Sequence, residues 1–320
     1  MMRLIIRALA LFAAVATAAV SAQAQNISIA TGGTGGVYYP LGGGMAAVLS
    51  KYVPGIQATA EVTGGSVANL QLINTGKPYI GMTMADATLD AYKGEDKFKG
   101  HAVPVRTLLI MYPNRMHVVT IDGTGINTMK DLKGKRVSTG SGGSATEVMA
   151  FRVIEAAGLD KDRDMKRERL GVAESVNAIK DRKIDAFFWV GGLPTAAVTD
   201  LANTPGVRIK LIDHANLVAA MNKKYGNLYV QDVITKDVYH GMDKDNQIAT
   251  VNNLLVAHEK MDADTAYKIV KAVFDHKDEL VRTHKEAENI KLENQKKSAS
   301  PVPWHPGAVK YFAEKGINIK

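Results

Sequence analysis

One pattern constrains this chain more than any other. Four times a strand-like run ends in a turn of small residues and passes at once into a helix-like run. Residues 26–31 alternate like a strand and meet Gly32-Gly33-Thr34-Gly35-Gly36, and Pro40 then suits the first turn of a helix carrying Leu41, Met45, Val48, Leu49 and Tyr52. Ile56, Ala58, Ala60 and Val62 alternate up to Gly64-Gly65-Ser66, where Ser66 is a fitting N-cap for a helix that stops at Gly76. Residues 135–139 lead to Gly140-Ser141-Gly142-Gly143, and Ser144 with Glu147 has the spacing of a capping box opening a helix over 148–157, closed by Gly158. Residues 184–190 form a nearly continuous apolar run, as a strand covered on both faces requires, and reach Gly191-Gly192-Leu193-Pro194 before a helix over 195–201.

Strands alternating with helices predict an α/β fold with mostly parallel sheets. The junctions form two groups, residues 31–66 and 138–194, separated by a crossing strand through 111–120. A second apolar segment, 251–258, returns the chain to the first group, and 263–281 reads as one amphipathic helix. The predicted architecture is two α/β lobes joined by two hinge strands with a central ligand cleft: residues 25–115 plus 213–320 in lobe 1, 116–212 in lobe 2, and a return hinge strand near 248–258. In open sheets of this kind ligands lie beyond the carboxyl ends of strands, where helix N-termini offer unpaired N–H groups. Four small-residue junctions therefore suggest an anion site made of amides and hydroxyls.

Composition closes off other classes. With 46% apolar and 22% charged residues among 320, disorder is excluded, and the absence of cysteine removes disulfides, thiol nucleophiles and Cys-ligated metals. Arg3 and Arg7 flank an apolar stretch ending at Ala22-Gln23-Ala24, the pattern of a secretory signal peptide over residues 1–24 cleaved near Ala24, which predicts an exported protein. Its removal takes Arg3 and Arg7 and no acid, lowering the formal charge from +8 to +6. The basic run from Lys161 to Arg169 reads as a solvated face, so no nucleic-acid partner is predicted.

Enzyme motifs are weak here. A G-x-G-x-x-G frame from Gly33 puts Tyr38 at its third glycine, and no phosphate-binding G-x-x-x-x-G-K-[ST] occurs, so no nucleotide cofactor is predicted. Gly64-Gly65-Ser66-Val67-Ala68 falls one residue short of a nucleophile elbow, which keeps open a secreted α/β serine hydrolase using Ser66. His276 and His284 read as surface or helix-end residues, and no metal site is predicted. Glu147 fits a capping role or a ligand amine; Phe188 and Trp189 alternate, so one faces the core and the other the cleft; Tyr38 and Tyr39 fit either packing or a polar handle. Gly42-Gly43-Gly44 inside a helix disfavours it by roughly 1 kcal/mol per glycine, which calls for a close backbone approach.

Residues 31–42 (Thr-Gly-Gly-Thr-Gly-Gly-Val-Tyr-Tyr-Pro-Leu-Gly), 131–137 (Asp-Leu-Lys-Gly-Lys-Arg-Val), 184–194 and His305-Pro306-Gly307-Ala308 together resemble the TAXI solute receptors of TRAP transporters. The resemblance spans the chain after its first 24 residues. It implies a periplasmic binding protein-like type II fold and no catalysis. It further implies a small organic anion, glutamate-like or a dicarboxylate or 2-oxo acid, delivered to TRAP membrane subunits for ion-gradient-driven uptake. By position it puts Gly35, Val37, Tyr38, Ser66, Asn69, Ala85 and Asp86 in the first half of the site. Ser138, Gly140, Ser141, Ser144, Thr146, Trp189, Val190, Gly191 and Gly192 fall in the second. Gly142 stands where that family usually has proline, which loosens the loop before Ser144.

Overall fold

A computed structural model describes residues 24–319; residues 1–23 of the signal peptide expected over 1–24 lie outside the described residues, as does residue 320. Strand β1 (Gln25–Ala30) buries Ile27 and Ile29 and pairs in parallel with β2 (Ile56–Glu61) on one side and β3 (Tyr79–Met84) on the other. Helix α1 (Tyr38–Tyr52) turns Leu41, Met45, Val48 and Leu49 onto this layer, and α2 (Ser66–Asn74) and α3 (Ala85–Lys93) complete it. Two of the three glycines of α1 have packing reasons. A Cβ on Gly42 would sit 2.4 Å from Thr31 Cγ2 and one on Gly44 2.8 Å from Thr283 Oγ1, while Gly43 faces open space.

Two long strands carry the chain between the halves. The 17 residues of β4 (Val105–Ile121) run antiparallel to β10 (Asn246–His258) from Val105 to Arg115, then antiparallel to β7 (Ala186–Gly191) from Arg115 to Thr120. Beyond β7 lie β5 (Arg136–Ser138) and β6 (Lys166–Glu168), both parallel to it. Strand β8 (Ile209–Leu211) pairs with the far end of β4, and β9 (Val230–Ile234) with β10. One ten-stranded mixed sheet results, in the order β2-β1-β3-β10-β4-β7-β5-β6 along its main path. The expectation of mostly parallel sheets holds at the two flanks and fails at the centre, where β4 and β10 insert antiparallel because the same strands cross from one half to the other.

Helices α4 (Ala145–Ala156), α5 (Val172–Lys180), α6 (Ala196–Ala202) and α7 (Val218–Tyr225) cover the second half; α8 (Ala263–Asp275), α9 (Lys277–Thr283) and α10 (Pro306–Glu314) return to the first. The single helix predicted over 263–281 is two. It breaks at His276, whose ring stacks flat on Tyr52 with centroids 3.5 Å apart and whose backbone leaves the helical region at ψ 26°. A second, smaller apolar cluster gathers Phe187, Val198, Leu201 and Leu211, and Ile234, Tyr239 and Ile248 join it although residues 213–320 were expected with the first lobe. No helix among the described residues is long and apolar enough to cross a membrane.

The His305-Pro306-Gly307-Ala308 motif is a docking device. His305 Nδ1 accepts from the Gly307 N–H at 3.2 Å to start α10, and a Cβ on Gly307 would meet Ala263 O at 2.2 Å and Tyr267 N at 2.7 Å, so glycine sets how closely α10 approaches α8. Gly307→Ala is expected to lower the unfolding free energy by about 1–3 kcal/mol, read from the urea midpoint, because helix backbone cannot yield as a side chain can.

Candidate functional site

The carboxyl ends of β1, β2, β5, β6 and β7 converge on one cavity of about 420 Å³, within the range of small-molecule sites. Its wall includes the N-cap residues of four helices, Val37 of α1, Gly65 of α2, Ser144 of α4 and Gly171 of α5. Helix N-termini carry unpaired N–H groups and a partial positive charge, so four of them around one space favour an anion. The two halves are buttoned together beside the cavity. Ser141 Oγ donates to Gly64 O at 3.0 Å, Ala68 N to Gly143 O at 3.0 Å and Ala197 N to Gly35 O at 3.3 Å.

Of the residues predicted for the site, Gly35, Val37, Tyr38, Ser66, Ser141, Ser144, Thr146, Trp189, Val190 and Gly191 lie on this wall. Trp189 is the member of its pair that reaches the cavity, with Nε1 donating to Thr195 Oγ1 at 2.9 Å, while Phe188 is core. Tyr38 donates its hydroxyl to Asn253 Oδ1, and burial pushes its pKa upward; Tyr39 is exposed. Ser144 caps α4 by accepting from the Glu147 N–H at 3.2 Å, and Thr146 Oγ1 accepts from Val190 N at 3.3 Å.

Six predicted residues stand off the wall, each held by neighbours. Asn69 is a bracket: its Nδ2 donates to Ala30 O, Thr31 O and Met82 O at 3.1, 2.7 and 2.8 Å, joining the ends of β1 and β3. Ala85 is buried at the start of α3, and Asp86 beside it accepts from the Tyr229 hydroxyl at 2.9 Å and lies 3.9 Å from Arg152. Ser138 Oγ accepts from Ser175 Oγ at 2.9 Å. Gly140, at φ +102°, leaves room for Thr146, whose Cγ2 would be 2.7 Å from a Cβ there; Gly192 packs against Glu286, with Cγ 2.6 Å from such a Cβ.

Two local expectations also change. Ser66 does not cap α2; Gly65 holds that position, and Ser66 Oγ accepts from the Met84 N–H at 3.1 Å. Among the described residues Ser66 Oγ is engaged by the Met84 N–H and by no histidine. The capping box is half made. The Glu147 carboxylate, buried, turns from the Ser144 N–H to Arg169 (Nε 2.7 Å), Arg167 (3.2 Å) and Lys97 (3.4 Å), because three cations outbid one amide.

The wall also holds residues that sequence reasoning missed. Arg169 belongs to the basic run read as a solvated face and is exposed as expected, and it is also the one Lys or Arg among the described residues lining the cavity. Tyr112 and Asn114 of β4 form its floor. Their signal was Pro113: proline inside a central strand marks an irregularity, and β4 shifts register against β10 beside it, between Asn252 and Leu254.

A mixed α/β sheet with this crossing, and a cavity at the carboxyl ends of both halves, is the fold of the type II periplasmic binding proteins. A solved binding protein of a phosphonate ABC transporter from Pseudomonas aeruginosa superposes with a TM-score of 0.51 at 9% identity, over 82% of this chain and 79% of that one. A structure described as a periplasmic transporter gives 0.51 at 12% identity over 94% and 100% of the two chains, and a protein from Bordetella bronchiseptica RB50 gives 0.53 at 19% over 90% and 89%. The chain belongs to the NMT1-like family, whose model matches residues 29–316.

Proposed function

We propose that this chain is a periplasmic solute receptor that binds a small organic anion and hands it to the membrane subunits of a TRAP transporter. The supporting observation is the cavity itself, walled by four helix N-termini, with Arg169 as its cation. The TAXI resemblance supports the TRAP assignment and the acid class: a glutamate-like amino acid, a dicarboxylate or a 2-oxo acid. In this reading the halves are lobes that close by a hinge at β4 and β10, and the buttons Ser141–Gly64 and Ala197–Gly35 form on closure. The second lobe takes residues 116–250, since Ile234, Tyr239 and Ile248 pack with Phe187 and Leu211.

A thermal-shift panel of amino acids, dicarboxylates and 2-oxo acids tests this on protein unfolded and refolded to strip bound ligand. An acid present at 100 times its Kd adds about 2.7 kcal/mol of stability, a shift of several degrees. A panel without any shift would remove the receptor reading for organic acids.

A further inference from the structure

We infer that the cavity is built for a ligand with one anionic group and an uncharged hydrogen-bonding end, a narrowing that rests on the receptor reading above. The two sides of the cavity differ in charge. On one side Arg169 grips Glu147, which also meets Arg167 and Lys97, and Asp162 meets Arg167 at 3.4 Å. Lys161 also meets Asp162, so cations outnumber carboxylates in this cluster, and Arg169 alone of them lines the cavity, one positive group for one ligand carboxylate. Glu174 lines the same cavity and has no ion pair among the described residues, so a second anion meets repulsion there.

The other side is neutral. Tyr112 on β4 and Arg169 after β6 are separated by the three strand spacings β4-β7-β5-β6, roughly 14 Å at about 4.8 Å each. Tyr112 and Asn114 are 1% and 2% exposed, and the Tyr112 hydroxyl and Asn114 Oδ1 have no hydrogen-bond partner. Arg115, next along the strand, is already matched by Asp232 at 2.8 Å and Glu286 at 3.1 Å. Buried polar groups without partners are rare in native proteins, and here both border the cavity. The phenol donates and accepts and the free amide oxygen only accepts, so a ligand carboxamide or hydroxyl, which brings its own N–H or O–H, satisfies both. A second carboxylate would be desolvated against neutral partners alone.

Calorimetric titration of the refolded mature chain with matched pairs tests this: glutarate and glutaramate, succinate and succinamate, glutamate and glutamine, aspartate and asparagine. In every pair that binds, the half-amide is expected to bind at least tenfold tighter than the acid carrying the extra carboxylate. Tyr112→Phe should weaken the best half-amide about five- to tenfold without lowering the melting temperature of the free protein, since that hydroxyl has no partner to lose. A tighter or equal diacid, or an unchanged affinity in Tyr112→Phe, overturns the inference and leaves the receptor reading standing. Silence across all four pairs overturns the inference as well, and if the wider acid panel is also silent the receptor reading falls with it.

Discussion

Replacing Arg152 with methionine is expected to lower the free energy of unfolding by about 3–5 kcal/mol, read as a fall in the urea midpoint at constant slope. Arg152 leaves α4 buried, and its guanidinium is bonded to Asp90 of α3, donates to the Tyr229 hydroxyl at 2.8 Å and lies 3.9 Å from Asp86. Tyr229 in turn donates to Asp86 at 2.9 Å. The cluster therefore ties α3 to α4 through the segment that leads into β9. Burial drives the Asp86 and Asp90 pKa values upward, Asp90 to about 6 with the added repulsion of Asp86 and Asp96, and the guanidinium is the chief opposing influence. Methionine fills the volume and leaves two buried carboxylates without their cation. Arg152→Lys should recover only part of the loss, because an ammonium offers one compact charge where the guanidinium serves several acceptors at once. A midpoint unchanged in the methionine variant would show that the cluster is neutral in energy.

Acidification is expected to weaken the fold between pH 6.5 and about 4. His117 and His214 are fully buried, and desolvation lowers each pKa to about 4. Burial keeps His117 neutral against the pull of the Arg115 carbonyl; Nδ1 lies 2.9 Å from Arg115 O and Nε2 3.0 Å from the Tyr239 hydroxyl, which also accepts from Thr195 N at 3.0 Å. A histidine with a depressed pKa contributes stability that is complete above pH 6.5 and lost as pH falls through 4. From 6.5 to about 4 each is worth about 3 kcal/mol at 1.36 kcal/mol per pH unit.

Asp90 works in the opposite sense. Its raised pKa gives a contribution complete below 3.8 and lost as pH rises through 6, also about 3 kcal/mol. Asp86, also raised, acts in the same sense as Asp90, and His258, His284 and His305, also lowered, act with the two buried histidines, so the share of His117 and His214 is read from the difference between a variant and the wild type. Urea titrations at pH 7 and pH 4.5 measure it. The double variant His117→Gln, His214→Gln should lose several kcal/mol less stability on acidification than the wild type, and an equal dependence in variant and wild type would refute the assignment.

The junctions were legible because backbone rules write them into short stretches of sequence. Glycine at Gly140 and Gly158, serine at Ser144 and proline at Pro40 each answer a local demand of turn, cap or first helical turn. Period and length likewise revealed β1, α1, β4 and β10. What went astray locally did so where tertiary partners intervened. Glu147 left its cap for Arg169, Ser66 turned to Met84, and the helix over 263–281 broke where His276 found Tyr52.

By itself the sequence determined the α/β alternation, the two crossing strands and the clustering of small residues at strand ends, since each follows from neighbours within a few positions. Only the tertiary structure decided which residues share the cavity. Asn69 and Ser138 carry chemistry suited to a ligand, yet three carbonyls and a neighbouring serine already occupy them. Tyr112, Asn114 and Arg169 carry no local motif, and they meet because β4, β7, β5 and β6 lie side by side. Hydrogen-bonding capacity is a property of the residue, whereas its availability depends on what long-range packing brings alongside.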